Sequence, residues 1–454
     1  MDKRTFIKTA SVLTGGLILQ DMIACNSPEK SPTQNEQLSN WAGNLKYSTT
    51  NVHYPQTVEE TAGIVKKCDK LRALGSQHAF NAIADSKENL VSLKNMNKIV
   101  ALDKTANTVT VEAGVRYGDI APYLDENGYA LANLASLPHI TVVGACATAT
   151  HGSGVQNGNL STSVAAIEFI NAAGDVITLS KQKDGERFNG AVVNLGALGV
   201  VTKITLDVIP TFKMKQLVYL NMPVNELKNN FDKIENEGYS VSLFTDWKNK
   251  NINEVWIKSR FAGNDNATAK PELFSAKLAT KNVHPIETES AENVTDQMGV
   301  PGPWYERMPH FKMGFKPSAG KELQAEYFVP IENAYDAIMA VEKLNERISP
   351  HLFITEIRAI HADELWMSPC YKQTSVTIHF TWKQETEAVM NLLPQIEAQL
   401  MPFNVKPHWA KLFTLSPQVL QSRYAKLADF KALVAEYDPK GKFRNEFLTK
   451  NLFS

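Results

Sequence analysis

The sequence predicts an α+β fold in two domains, and three observations carry that expectation. Between Trp41 and Phe212 short β-rich runs alternate with helical ones. After Pro210 the strands lengthen and are joined by two helical segments, which suggests an antiparallel sheet with helices on one face. No Gly-x-Gly-x-x-Gly separates a strand from a helix, so a doubly wound dinucleotide-binding sheet is not indicated. With 454 residues, 43% hydrophobic and 21% charged, the chain can bury cores of the size two domains need.

The elements follow in chain order. Asp2 to Lys8 is basic, Ala10 to Leu19 is apolar, and Met22-Ile23-Ala24-Cys25 follows, which is a signal-peptide pattern. Lys3-Arg4-Thr5-Phe6-Ile7-Lys8 resembles a twin-arginine export signal with lysine in the first basic place. Ile23-Ala24-Cys25 resembles a bacterial lipobox, which would make Cys25 a lipidated amino terminus. The apolar run is too short to span a bilayer. Residues 1–25 are therefore expected to be an export signal, and the protein to be periplasmic or membrane-anchored through lipid at Cys25. Residues 26–40, rich in Ser, Pro, Gln, Asn and Glu, read as a tether.

In the first domain, 41–212, strands are expected at Leu90 to Leu93, Ile99 to Leu102, Thr108 to Ala113, Ala165 to Asn171 and Val200 to Ile209. Helices are expected at Thr57 to Lys70 and Tyr117 to Asn127. Ala172-Ala173-Gly174-Asp175 is a tight-turn signal before a further strand, Val176 to Leu179. In the second domain, 213–454, strands are expected at Gln216 to Met222, Ser240 to Thr245, Glu254 to Ser259, Glu322 to Val329, Phe353 to Ile360 and Ser375 to Trp382. Its helices are expected at Ile331 to Ile348 and Thr386 to Leu400. Ala262 to Pro317 reads as long loops, and Asp438 to Phe443 as a turn.

A formal net charge of -1 gives no general attraction to nucleic acid, so the expected ligand is small. Cys68, Cys146 and Cys370 form no Cys-x-x-Cys or Cys/His cluster. They suggest neither a disulfide framework nor a metal, and read as small buried residues.

Leu74-Gly75-Ser76-Gln77-His78-Ala79-Phe80-Asn81 joins a glycine to small polar residues whose backbone N–H groups can approach an anion closely. Three further blocks accompany it: Ala135-Ser136-Leu137-Pro138-His139 running to Gly144, Ala147 to Gly154, and Leu195-Gly196-Ala197-Leu198-Gly199-Val200-Val201. In this order they resemble the FAD-binding half of the vanillyl-alcohol-oxidase superfamily, with its PCMH-type FAD-binding domain, and within it the branch of alditol oxidases and sugar-1,4-lactone oxidases. The resemblance implies that 41–212 binds FAD and that His78 forms a covalent bond to the flavin. It also places Gly75, Ser76, Gln77, Ala79, Ser136, Thr141, Gly144, Thr148, Ala149, Thr150, His151, Val201 and His408 along the cofactor. By itself His78 would read as a turn histidine; the four blocks together favour flavin attachment.

In the second half, Ile354 to Arg358, Thr377 to Trp382 and His408-Trp409-Ala410-Lys411 resemble the substrate side of the same branch. They imply Glu356, Arg358, His379 and Lys411 as catalytic residues, with Ser136, Glu356, Arg358, Thr381 and Lys411 touching substrate. Periodicity agrees independently, because residues two apart on a strand share a face, so Glu356 pairs with Arg358 and His379 with Thr381. Read alone, either pair also fits a solvated sheet face.

The implied reaction oxidises the primary alcohol of an alditol such as xylitol or sorbitol, with hydride passing to the flavin and dioxygen or another acceptor reoxidising it. The proton acceptor is left open, with Lys411 and His379 as the candidates. An aldonolactone oxidase or dehydrogenase is the alternative, and a noncatalytic sugar-binding lipoprotein the alternative of another class.

Overall fold

A computed structural model describes residues 37–263, 269–315 and 321–454. The export signal, Cys25 and most of the tether lie outside the described residues. Those from Gln37 onward form one compact unit.

The first half opens with a small parallel sheet of β1 (Val52–His53), β2 (Arg72–Ala73) and β3 (Leu90–Val91), ordered β1-β3-β2. Helix α1 (Val58–Lys67) starts where the Thr57 hydroxyl accepts from Glu60 N–H. Acidic residues fill its first turn and lysines its last, complementing the helix dipole at both ends. A five-stranded antiparallel sheet follows, built from β4 (Ile99–Asp103), β5 (Thr108–Glu112), β6 (Val164–Ile170), β7 (Val176–Ser180) and β8 (Val200–Asp207), in the order β4-β5-β8-β6-β7. Helices α2 (Tyr117–Glu126) and α3 (Val142–Ala147) pack Ile120, Leu124, Val142 and Cys146 into the same core as Val109, Ile167 and Ile204. The expected strands and helices are present with ends shifted by a few residues. A helix over Lys181–Val192, kinked at Gly185, has no clear sequence signal because glycine weakens helices; Gly190 is needed there, since a Cβ would lie 2.3 Å from the Trp366 ring.

The second half holds a ten-stranded sheet. Its long members are β9 (Lys213–Pro223), β10 (Ser240–Thr245), β11 (Asn251–Phe261), β12 (Glu322–Pro330), β13 (Leu352–Ile360) and β14 (Ser375–Lys383), ending on β15 (Lys406–Pro407). They run antiparallel in the order β9-β11-β10-β13-β14-β12-β15.

Period-two alternation divides this sheet cleanly. Leu243, Ile257, Leu323, Ala325, Tyr327, Ile357, Ile378 and Phe380 join one core with α4 (Leu227–Glu235), α5 (Ala334–Glu342) and α6 (Thr386–Leu400). Their strand neighbours Lys258, Glu326, Glu356, Arg358, His379 and Thr381 point to the other face and are also buried. The sheet is thus dry on both sides, with helices on one and charged groups on the other.

The single helix expected over Ile331 to Ile348 is broken into a 3-10 turn after Pro330, α5, and a short helix Asn345–Ile348. An i→i+3 bond from Leu344 N–H to the Val341 carbonyl tightens the chain between the last two.

The carboxyl end returns to the first half. Buried Arg72 donates to the carbonyls of Ile83, Leu195, Gly196 and Phe443, and Asn445 donates to those of Ala82, Ile83 and Asp85. Cys68, Cys146 and Cys370 are free and buried.

Candidate active site

Three neighbouring strands set the site. In the register β12-β14-β13, Glu326 lies beside His379, which lies beside Glu356, so the three stand abreast across the polar face. Two residues along β13 comes Arg358; two along β14 comes Thr381, and two along β12 comes Gln324. Lys411 enters from the turn after β15, whose backbone is held by His408 N–H donating to the Glu326 carbonyl and Leu412 N–H to that of Gln324.

Glu326 is the hub, and the sequence reading did not include it. One oxygen accepts from Arg358 Nη2 at 2.7 Å and lies 3.1 Å from His151 Nε2; the other lies 3.1 Å from Lys411 Nζ. The His151 contact is close in distance but poorly aligned for a hydrogen bond. Burial alone would raise the Glu326 carboxyl, but Lys411, His151 and Arg358 outweigh it and hold the group ionised, well below the usual range. Lys411 is shifted the other way: burial and Arg358 lower its pKa, and Glu326 only partly restores it.

Glu356 behaves like Glu326. Burial opposes its ionisation, while Arg358 and His310 overcome it. His310 Nε2 lies 2.7 Å from Glu356 Oε1, and Arg358 Nε lies 3.6 Å from the same oxygen. Arg358, flanked by both carboxylates, stays charged despite burial.

His379 Nε2 lies 3.1 Å from Gln324 Oε1, while the amide nitrogen of Gln324 donates to Glu322. The amide is thereby fixed with oxygen toward the imidazole, so His379 carries its proton on Nε2. Nδ1 is left buried without a partner among the described residues. Burial, followed by Lys411, keeps this ring neutral.

Most of the residues that the resemblance places along the flavin gather in the first half. Gly75 and Gly144 both face Thr141 Oγ1: a Cβ would lie 2.9 Å from it at the first position and 2.8 Å at the second. That hydroxyl is buried with no hydrogen-bond partner among the described residues. Ser76 Oγ accepts from Thr141 N–H, and the hydroxyls of Thr148 and Thr150 lie 3.3 Å apart. Gln77 and Ala149 take left-handed φ values of 63° and 54°. Residues 76–79, 143–144, 147–148 and 150 keep partial exposure among buried neighbours, tracing an open strip. Close-approach glycines, an unmatched hydroxyl and an open strip fit a bound dinucleotide such as FAD.

His78 lies at the end of this strip, stacked on Trp41 at 4.8 Å and 4.5 Å from the His139 ring. Part of its surface is open, yet enclosure between these rings, with His139 and Arg116 nearby, pushes its pKa down to about 3 and leaves a neutral imidazole. Val201 is buried on β8. His408 stacks on Phe328, and its Nδ1 accepts from Ala410 N–H. Ser136 is half-buried in the loop before α3 and, among the described residues, makes no side-chain hydrogen bond to the cluster. His151, Glu326 and His408 offer ligand atoms within 4.8 Å of one another. Glu326 already balances Arg358 and Lys411, so a metal cation there would face two positive charges.

Comparison with known proteins assigns this architecture. Residues 50–180 match the model of the FAD binding domain, and 316–451 that of D-arabinono-1,4-lactone oxidase. The chain is 43% identical over 414 residues to the alditol oxidase of a Streptomyces species, covering 90% of this chain and 98% of that protein. It belongs to the alditol oxidase family.

More distantly similar to it are the L-gulonolactone oxidase of Scyliorhinus torazame, 26% identical over 93% of this chain and 99% of that one, and the L-gulono-1,4-lactone dehydrogenase of Mycobacterium tuberculosis, 24% identical over 91% and 98%. In fold it is similar to cholesterol oxidase from B. sterolicum, with TM-score 0.73, 14% identity, and 94% and 99% of the two chains covered. Membership of this family makes the chain an FAD-dependent oxidoreductase, and sets aside the reading as a noncatalytic binder.

Proposed function

We propose that this alditol oxidase family member oxidises the primary alcohol of an alditol such as xylitol or sorbitol to the aldose, with dioxygen as terminal acceptor and hydrogen peroxide as its product. One observation carries the reading: Glu326, Glu356, Arg358, His379, Thr381 and Lys411 converge on one buried sheet face that touches the flavin-side histidine His151.

FAD, when bound, supplies the acceptor for the two electrons and the hydrogen that leave the carbinol carbon. Gly75, Ser76, Thr141, Gly144, Thr148 and Thr150 are the residues that would hold it, and we propose that His78 tethers it covalently. A neutral imidazole suits that role, since attachment needs a free nitrogen lone pair.

The rest belongs to the chain. Arg358 and Lys411 set positive charge where an alkoxide oxygen develops, inside a site dry enough for that charge to count. His379 Nδ1, held as an acceptor by the Glu322–Gln324 pair, accepts a hydrogen bond from the reacting hydroxyl and takes its proton only as the hydride leaves, when a hydroxyl on a carbon turning into a carbonyl is acidic enough for so weak a base. Glu356 and Thr381 bond the remaining hydroxyls, so a ligand lacking them leaves buried groups unpaired.

Lactone oxidation is the second reading, supported by the lactone-oxidase model over 316–451, but those relatives stand at 24–26% identity against 43% for the alditol oxidase. A panel of alditols and aldono-1,4-lactones on purified protein, following peroxide and dye reduction in parallel, separates the two. Turnover confined to lactones sinks the alditol reading, and dye reduction without peroxide sinks the oxidase one.

We also propose export and lipid anchoring at Cys25, on the strength of the basic-apolar-Cys pattern at the amino terminus. Among the described residues no helix is long and apolar enough to cross a membrane. A Cys25→Ser variant should move from the membrane fraction to the soluble one; an unchanged distribution removes the lipid anchor.

A further inference from the structure

A buried chain of polar groups leads from Glu356 into a part of the sheet that the chemistry above does not use. Lys258 stands on β11, on the same face as Trp256. Its Nζ lies 2.6 Å from the Met308 carbonyl, 3.1 Å from that of Pro309 and 3.0 Å from His310 Nδ1. Three acceptors thus surround the nitrogen. The other ring nitrogen of His310 lies 2.7 Å from Glu356 Oε1. Lys258, His310 and Glu356 are 1%, 7% and 5% exposed, so water does not compete for these bonds.

The polarity of the chain is forced. Glu356 is ionised and its Oε1 only accepts, so His310 Nε2 must donate; the neutral ring then leaves Nδ1 to accept from Lys258, whose pKa burial lowers to about 7 and whose nitrogen keeps N–H donors with or without its third proton. Burial and the neighbouring Lys258 lower the His310 pKa to about 4, which keeps the ring neutral. The rings of Trp256 and Phe244 meet it edge-on at 5.2 and 5.5 Å and fix its plane. Oε1 of Glu356 is therefore occupied from the protein side, while among the described residues no donor is bonded to Oε2.

We infer that Lys258 is a positioning residue acting through His310: it locks the imidazole in the form that donates to one oxygen of Glu356, leaving the other aimed at a substrate hydroxyl. This rests on the reading of Glu356 as a substrate contact. A carboxylate pinned at one oxygen binds a hydroxyl in one direction, which favours one placement of the polyol chain.

The test uses flavin-loaded enzyme and xylitol and sorbitol kinetics. His310→Leu, which cannot donate, should raise KM by about tenfold or more with kcat changed by less than about threefold, the pattern of lost binding common to ground and transition states. His310→Gln keeps an N–H near the place of Nε2 and should restore KM to within about threefold of wild type. Lys258→Met should raise KM like His310→Leu, and should add nothing in the His310→Leu background, because the two act through one bond.

A folded, flavin-loaded Lys258→Met enzyme with wild-type KM overturns the inference, as does full multiplication of the two effects. If Lys258→Met does not fold, the His310 pair decides: equal KM for His310→Leu and His310→Gln overturns it. Glu356→Gln separates the two levels. Unchanged KM there refutes Glu356 as a substrate contact, whereas raised KM there with wild-type KM in His310→Leu refutes only the positioning chain.

Discussion

Replacing Glu326 with glutamine removes the carboxylate facing Arg358 at 2.7 Å and Lys411 at 3.1 Å, with side chains 1%, 6% and 15% exposed. Taking one partner from a buried charge pair costs about 3–5 kcal/mol, because the remaining charge is left uncompensated. The amide keeps an oxygen that can accept from Arg358, so the lower end, about 3 kcal/mol, is expected. A folded unit of this length has an unfolding entropy of roughly 0.9 kcal/mol/K, so Tm should fall by about 3–4 °C.

The pH dependence gives the sharper check. Glu326 is depressed in the folded state, so its contribution is complete above the unfolded value near about 4.3 and disappears as pH falls through the folded one. The Tm gap between wild type and variant should be flat from about pH 5 to 8 and close below about pH 4. Activity should shift too: Glu326 supports the charge on Lys411, so without it the alkaline limb of kcat/KM moves to lower pH. Calorimetry across pH and a pH–rate profile measure both. A gap that widens on acidification, or an alkaline limb that stays in place, refutes Glu326 as the hub.

Three further outcomes are expected. Lys411→Met should lower kcat by about 10²–10³-fold, the usual cost of losing one group that stabilises developing negative charge, while the flavin absorbance is retained; full activity would remove its role. His78→Ala should leave no colour on acid-precipitated polypeptide, and colour there would rule out attachment through this residue. Gly144→Val should lower the flavin content of purified protein, because its Cβ would lie 2.8 Å from Thr141 Oγ1; stoichiometric flavin would show that the cradle lies elsewhere.

What the sequence disclosed follows from where order is periodic. Glu356 with Arg358 and His379 with Thr381 were legible because each pair is spaced by two on a strand, and the structure points each pair to one buried face. Glu326 carried the same signal unused: Glu322, Gln324 and Glu326 alternate with Leu323, Ala325 and Tyr327. That alternation marks a strand by itself, and a buried polar face only once the neighbouring strands are in place.

Lys258 is harder to see, since a lysine near the end of a strand reads as solvated. Its burial depends on the carbonyls of Met308 and Pro309, fifty residues away in sequence. His310 had no sequence signal at all. It comes from the loop-rich stretch 262–317, where no period marks an inward side chain, and only tertiary packing carries it to Glu356. The small residues of the proposed flavin cradle stand together in the sequence, but the mutual approach of Gly75 and Gly144 over Thr141 is a matter of tertiary distance.

Arg72 has a consequence for biogenesis. Its guanidinium is satisfied partly by carbonyls at 195 and 196 and partly by that of Phe443, 371 residues downstream. A nascent polypeptide halted before that point would keep a buried cation short of one acceptor, and would lack the cap that Asn445 places over residues 82–85. The amino-proximal lobe thus reaches its finished form only after translation is nearly complete, so closure of the tail over residues 82–85 is among the last steps of folding.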